Sequence, residues 1–499
     1  MFKKILIANR GEIAIRVMNA ARELGIETYA IYHEVDTESL HTISADNAVE
    51  IFGDTPKQAY LDAEQIIEVA LANGCEAIHP GYGFLSENSR FSKACKDAGI
   101  KFVGPNEYAI EVMGNKTAAR ELMQKAGVPI VPGTKERITD LDKAKEIADD
   151  IGYPILLKAA AGGGGKGMRK VESPKDFVDS YDAAQREAKN AFGDDTIYME
   201  KFIVNPKHIE IQVLADEHGN CIHLAERDCS IQRRHQKVIE EAPSTVLDEE
   251  LRNEMGKVAV DAAQACQYVN AGTIEFLLDK DKNFYFLEMN TRLQVEHPVT
   301  ELITGIDLAK EQIKVAAGQE LAFEQEDIVV SGHAIETRIY AEDPLSNFMP
   351  DIGKVAYLRN PDGIGVRVDG GIERGDNVSI NFDPMLAKLI VFGQDREEAI
   401  DKMDAALSSY KVVGTKTVIP FLKAVMKSDI FRNNYFDTGF VESNFDFSVL
   451  DEMKDKTEKD ASVIAAYFYN RNKNRKKVNQ VKPQPDVWKS KMLNNMRKV

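Results

Sequence analysis

Between Gly272 and His297 the chain places three carboxylates (Glu275, Glu288 and Glu296), an amide (Asn290) and an arginine (Arg292). Two strand-like runs carry them, Gly272–Leu278 and Asn283–Asn290 with its continuation Thr291–His297, and Asp279-Lys280-Asp281-Lys282 reads as the turn of a hairpin. Alternation with period two puts Glu275 on one face of its strand, and Glu288 and Asn290 on one face of theirs. Neighbouring buried carboxylates repel and are costly to desolvate unless a cation lies between them. Magnesium (or manganese) is the expected ion, because it takes oxygen ligands and shares them with nucleotide phosphates. The alternative is a solvated surface hairpin, but the residues between the acids are Ile, Phe, Leu and Met.

Other segments must position such a site. A chain of 499 residues exceeds one core, which suggests about three domains. Residues 1–112 read as a doubly wound parallel α/β sheet. In it, Ile5–Ala8, Thr28–Tyr32 and Ala77–His79 are strands, with helices from Ile13 and from Ala63 to Leu71. No G-x-G-x-x-G follows the first strand, which argues against a dinucleotide. The turn His79-Pro80-Gly81-Tyr82-Gly83-Phe84 ends a strand, the place where open α/β sheets bind ligands. Residues 113–325 read as a second domain. Within it, about 131–203 forms a lid with its own sheet pattern, hinged at Gly127-Val128-Pro129 and Asn205-Pro206. Lys158 ends an apolar strand before Gly162-Gly163-Gly164-Gly165, whose backbone N–H groups suit phosphate oxygens. His208, Glu210 and Gln212 share a face, and Glu226–Lys237 reads as one charged strand beside an anion pocket. Residues 333–445 form a third, α+β domain. An extension, 446–499, ends in a basic tail.

Composition excludes several classes. Residues 471–499 carry ten Lys/Arg and one Asp, a net of +9, so the rest carries −26 of the whole-chain −17. An acidic body does not suit nucleic acid. No apolar run reaches the roughly 20 residues that span a bilayer. Asn9-Arg10-Gly11-Glu12 breaks the apolar start, so it reads as a buried strand, not a leader. Five cysteines without zinc spacing read as free thiols, and the expected location is cytoplasmic.

Seven stretches together resemble the biotin carboxylase family of the ATP-grasp superfamily: 5–14 (Ile-Leu-Ile-Ala-Asn-Arg-Gly-Glu-Ile-Ala), 79–88, 162–168, 226–237, 288–297, 336–344 and 382–388 (Phe-Asp-Pro-Met-Leu-Ala-Lys). The resemblance covers about residues 1 to 445, in family order. It implies an ATP-grasp domain whose mobile lid closes over ATP. Lys116, Lys158, Gly164, Gly165 and His208 would meet the phosphates. Glu200, Lys201 and Ile203 would hold the adenine end, with Gln232 and His235 lining the site. Glu275 and Glu288 would serve both ATP and the metal, together with Asn290. Bicarbonate would lie against Lys237, Arg292, Gln294 and Val295, and Glu296 would take its proton. Tyr82, Gly83 and Arg338 would face biotin, Arg338 stabilising the developing enolate. Without the resemblance, Arg338 reads as a strand arginine paired with Glu336 or Glu342, and Glu296 as a helix cap.

No carrier lysine is found. Ala424-Val425-Met426-Lys427 lies in an amphipathic helical pattern and Ser428 follows it, so biotin is expected on a separate polypeptide. The extension resembles that of free-standing biotin carboxylase subunits of two-subunit pyruvate carboxylases. This implies a biotin-carrier and carboxyltransferase partner, and a homodimer within a hetero-oligomer. The helical stretch Ala461–Tyr469 and Trp488 are the expected docking anchors. The alternative acceptor is acetyl-CoA or another acyl-CoA. Outside the family, a carbamoyl phosphate synthase-like ligase or a nucleotide-binding regulator would share the fold.

Overall fold

The computed structural model describes residues 1–134, 141–159, 168–192 and 196–474, in two compact units, Met1–Phe445 and Asp446–Val499. In the first unit, five parallel strands lie in the spatial order Asn47–Glu50, Glu27–Tyr32, Lys4–Ile7, Ala77–His79, Lys101–Phe102. Three of these were expected. The other two are short edge strands with little periodic signal. The turn after Ala77–His79 is held from the first strand's end, where Asn9 Nδ2 donates to the carbonyls of Pro80 (2.6 Å) and Tyr82 (2.8 Å). Gly81 has φ +60°, and a Cβ there would meet Asn9 Nδ2 at 2.9 Å, so both conformation and contact require glycine.

The centre is one eight-stranded sheet. Its strands in spatial order are Phe284–Asn290, Asn270–Leu278, Lys207–Ala215, Cys221–Arg233, Gln236–Ala242, His333–Tyr340, Met385–Gly393 and Val366–Gly370. Gln236–Ala242 pairs with His333–Tyr340, so the sheet runs without a break from the region 113–325 into the region 333–445. The sequence pattern separates these regions and gives no sign of the shared sheet. The helix Glu249–Ala265 packs Leu251, Met255, Ala259, Ala262 and Ala263 into a core with Ile209, Ile211, Ile274 and Phe276. Off this core, Arg227, Glu210 and Glu275 lie side by side across three neighbouring strands.

One expectation is corrected. Glu226–Lys237 is not one strand but the end of one and the start of the next. Arg234 and His235 turn the chain with φ 51° and 65°, a conformation rare enough in non-glycine residues that nothing in the composition signals it. A smaller antiparallel sheet, Met168–Val171, Ile155–Ala159 and Ile197–Lys201, packs with the helices Leu141–Ile151 and Phe177–Phe192 around Ile155, Leu157, Phe177, Tyr181 and Met199. These elements fall in the segment expected to form the lid; the glycine run expected there, Gly162–Gly165, lies outside the described residues.

Lys427 ends the helix Ile419–Lys427 and lies 3.7 Å from Asp404, a surface helix lysine as expected. The five cysteines are free. No described helix is long and apolar enough to cross a membrane. In the second unit, the helix Ser448–Asn474 contains the expected Ala461–Tyr469 stretch, and Val463, Ile464, Tyr467, Phe468 and Tyr469 are exposed.

The strands Gln236–Ala242 and His333–Tyr340 are also joined by charge. Buried Glu241 accepts from His333 Nε2 (2.9 Å) and Arg396 Nε (2.7 Å). Burial alone would raise its pKa, but these partners outweigh it and bring the carboxyl from 4.5 down to about 2. A lowered folded-state pKa gives stability that is present above the unfolded value and lost as pH falls towards the folded one. Glu241→Gln is expected to cost about 3–5 kcal/mol at pH 7. In chemical denaturation, the gap to the parent chain should stay constant above about pH 5 and narrow below 4.5.

Candidate active site

The hairpin forms as expected. Glu275 pairs in register with Glu288, and Thr273 with Asn290, with a bulge after Glu275. Asp279 closes the turn by accepting from the backbone of Asp281 (2.8 Å) and Asn283 (2.9 Å). On the next strand His208, Glu210 and Gln212 share the inward face. His208 Nε2 is 3.1 Å from Glu275, and Asn290 Nδ2 donates to Glu275 Oε1 at 2.9 Å. Among the described residues, ligand atoms of His208, Glu210 and Glu275 come within 4.8 Å of one another. Glu288 is more exposed. Burial and the Glu275 charge raise its pKa, partly offset by Lys116. A dication between the two carboxylates would relieve that repulsion, so the oxygen donors here fit magnesium.

Lys237 is the centre of charge. Its ammonium donates to Glu210 (2.5 Å), Glu275 (2.7 Å) and Glu296 (2.7 Å). Burial by itself would lower its pKa, but the three carboxylates hold it well above the usual value. Glu296 is fully buried and bonds on its other oxygen to Arg338 Nη2 at 2.9 Å. Burial favours its neutral form, yet Lys237, Arg338 and Arg227 together hold it well below the carboxylate range. Glu296 does stand at the N-cap of the helix His297–Thr304, but its side chain makes no cap bond. Arg338 pairs with neither Glu336 nor Glu342: its Nε donates to Glu240 at 2.6 Å, and Glu342 takes Arg233.

Arg292 spans the mouth, donating to Asn290 Oδ1 (3.1 Å), Gln294 Oε1 (3.1 Å) and Glu87 (3.1 Å). Gln294 Nε2 lies 3.5 Å from Glu275. Glu87 belongs to the 79–88 turn, so the N-terminal sheet touches the hairpin loop here. The Tyr82 hydroxyl donates to Glu12, and Gly83 has φ +72°. Burial first, and then Glu12, hold the Tyr82 phenol well above its ordinary pKa, with Arg338 acting the other way.

The lid residues stand apart from this cluster. Lys158 pairs with Glu200, which also takes Arg120 at 3.0 Å. The Lys201 ammonium donates to the carbonyls of Gly152 (2.7 Å) and Tyr153 (3.2 Å), while its backbone N–H donates to Pro132 (2.8 Å). Ile203 is buried. Gln232 donates to the Cys229 carbonyl at 2.9 Å, and His235 is exposed at its hairpin tip. Lys116 is the exposed first residue of the helix Lys116–Lys125. Gly164 and Gly165 lie outside the described residues.

Three residues of the cluster carry no role in the sequence pattern. Arg227, wholly buried, binds Glu210, Gln212 (2.8 Å), Thr300 (2.9 Å) and Thr273 (3.1 Å). Glu210 links it to Lys237, and Glu240 holds Arg338. Glu210 has a signal, since it alternates with His208; the others sit in runs so charged that none stands out.

Residues 1–110 match the biotin carboxylase N-terminal domain, 115–324 the carbamoyl-phosphate synthase L chain ATP binding domain, and 336–443 the biotin carboxylase C-terminal domain. The middle match alone leaves the ligase class open, and the flanking two decide it. The chain belongs to the biotin carboxylase family. Its activity is that of the family, ATP-dependent carboxylation of biotin. It is 55% identical over 442 residues to a pyruvate carboxylase subunit of Methanothermobacter thermautotrophicus, covering 89% of this chain and 90% of that one. It is 49% identical over 470 residues to the 2-oxoglutarate carboxylase small subunit of Hydrogenobacter thermophilus, covering 94% and 99%. A crystal structure of the biotin carboxylase domain dimer of the latter enzyme, with MgADP, ADP and bicarbonate, superposes with TM-score 0.80 at 50% identity, covering 89% and 97%.

If Glu210 sets Lys237, its neutral amide should disturb turnover more than nucleotide affinity. Glu210→Gln is expected to lower bicarbonate-dependent ATP cleavage about 10–100-fold. The KM for ATP, measured alongside, should stay within about threefold.

Proposed function

We propose that this chain is the biotin carboxylase subunit of a two-subunit pyruvate carboxylase. It would use ATP, bicarbonate and magnesium (or manganese) to carboxylate biotin carried by a separate polypeptide. The observation that carries the mechanism is Glu296 held between Lys237 and Arg338. Bicarbonate enters beside Lys237, Arg292, Gln294 and the Val295 backbone, where two cations and an amide suit a small planar oxyanion. Glu296 takes its proton. A carbonate oxygen attacks the γ-phosphorus and ADP leaves, giving carboxyphosphate, which breaks into carbon dioxide and phosphate. Phosphate removes the ureido proton of biotin, and the resulting enolate, stabilised by Arg338, attacks carbon dioxide through nitrogen. Magnesium between Glu275, Glu288 and Asn290 would neutralise phosphate charge. Lys116, Lys158, His208 and Gly164-Gly165 meet the phosphates, and Glu200, Lys201, Ile203, Gln232 and His235 line the nucleotide under a closing lid. Tyr82 and Gly83 face biotin. The related domain crystallised with MgADP and bicarbonate supports this ligand set.

Roles divide under substitution. Glu296→Ala should abolish bicarbonate-dependent ATP cleavage while leaving nucleotide affinity within about threefold. Arg338→Ala should spare part of that ATPase and slow carboxylation of free biotin by about 10²–10³. Loss of ATP binding alone in both variants would show the roles to be wrong.

The acceptor reading rests on the C-terminal extension. The match with the 2-oxoglutarate carboxylase small subunit spans 470 residues and so runs past Phe445 into it, which favours a 2-oxo acid carboxylase. The exposed Val463, Ile464, Tyr467 and Phe468 give the helix Ser448–Asn474 an apolar stretch for the carrier and carboxyltransferase partner. Deleting 455–499 should leave free-biotin carboxylation intact and reduce oxaloacetate formation by the reconstituted complex. Assembly and turnover at the parent rate would refute docking. Malonyl-CoA as the product of the full complex would establish the acyl-CoA alternative.

A further inference from the structure

The stretch Phe382–Lys388 ends in a lysine to which the reaction above gives no part. Lys388 lies on the strand Met385–Gly393, directly across from Arg338 on one side and Asp369 on the other. Its side chain is wholly buried. An ammonium without water must spend its donors on protein acceptors. One goes to the Val295 carbonyl at 2.7 Å; Glu12 lies at 3.5 Å and Asp369 at 3.8 Å. Each contact leads to a different part of the site. The Val295 carbonyl belongs to the peptide that carries the Glu296 N–H, so this bond fixes the plane from which Glu296 projects. The preceding carbonyl, Gln294, is held by His297 Nδ1 at 2.8 Å. Glu12 accepts the Tyr82 hydroxyl, while Asn9 holds the backbone of Tyr82. Asp369 is itself clamped by both ends of Arg367, at 2.8 and 2.7 Å.

We propose that Lys388 is a positioning residue that seats the Gln294–Glu296 segment and the Tyr82 turn on a single buried ammonium. The bicarbonate side and the biotin side of the centre then share one anchor. Glu12 is the arm that reaches Tyr82, and the bond to Val295 is the arm that reaches Glu296. This rests on the assignment of Gln294–Glu296 to bicarbonate and of Tyr82 to biotin. Lys388 touches no reacting atom and acts only through these two arms.

The test uses the full-length chain, free biotin and ATP. Lys388→Met keeps length and removes charge. It should lower kcat/KM for bicarbonate in ATP cleavage about 10–100-fold and raise the KM for biotin about tenfold. The KM for ATP should stay within about threefold. Glu12→Gln cuts only one arm, so it should raise the KM for biotin about fivefold and leave that for bicarbonate within about twofold. A purely structural lysine would move all three constants together, or only the melting temperature, and either result overturns the proposal. Should Lys388→Met fail to fold, Glu12→Gln and Tyr82→Phe decide. If both act through the Tyr82–Glu12 bond, the double variant raises the biotin KM no more than the worse single one; additive losses overturn the coupling. A parent chain with no bicarbonate-dependent ATP cleavage would instead refute the function itself, a result distinct from normal kinetics in Lys388→Met.

Discussion

One ammonium surrounded by three carboxylates organises this molecule. Lys237 meets Glu210, Glu275 and Glu296 at 2.5–2.7 Å, and those acids come from three separate segments. Three buried carboxylates without a cation would repel and shift towards their neutral forms. With it between them that repulsion is relieved and the segments that carry them are drawn together. A single lysine cannot neutralise three acids, so the surplus charge recruits further cations. Arg227 takes Glu210 and Arg338 takes Glu296, while His208 Nε2 lies 3.1 Å from Glu275. Removing one member of such a cluster costs more than its own contact, because a buried partner is left unpaired.

That requirement explains why the sheet must be continuous. Lys237 and Glu240 lie on Gln236–Ala242, and Arg338 lies on His333–Tyr340, its hydrogen-bonded neighbour. If the two regions met only through side chains, their relative motion would vary the distance from Lys237 and Glu240 to Arg338. Backbone pairing fixes it to the geometry of a strand pair. The lid, by contrast, has its own sheet and core, and Lys158 and Glu200 pair there with each other. The charged cluster thus lies on the continuous sheet, and Lys158, Glu200 and Lys201, proposed to contact the nucleotide, lie in a separately packed part.

Local patterns are legible in the sequence and distant pairings are not. Alternation around Asp279–Lys282 reveals the hairpin and the facing of Glu275 and Glu288, because period and turn chemistry are properties of neighbouring residues. The bare pattern misleads about the partner of Arg338. The acids two and four residues away are the obvious choices, whereas Glu240 and Glu296 lie 98 and 42 residues off. The hairpin at Arg234-His235 stays hidden because its residues carry none of the usual turn composition. Arg227 is hidden for a similar reason. A fully buried arginine is recognised by what surrounds it, and its four partners come from three other segments.

The ion pairing of Glu296 bears on how it can serve as a base. A carboxylate held well below its usual pKa is a poor proton acceptor, since general-base catalysis works best with the pKa near the working pH. Two of the three cations responsible, Lys237 and Arg338, face the region proposed for bicarbonate and biotin. An incoming anion competes for Lys237 and weakens that pair, and each weakened pair raises the affinity of Glu296 for a proton. Burial then works in the same direction, because a carboxylate stripped of cations in a dry site favours its neutral form. In the proposed reaction basicity would therefore be coupled to occupancy: Glu296 would gain the power to take a proton as bicarbonate drew Lys237 away. Arg338 would keep its bond to Glu240 while its other end, released from Glu296, turned towards the biotin enolate, so in the proposed reaction proton removal and enolate stabilisation would follow in order from one exchange of partners.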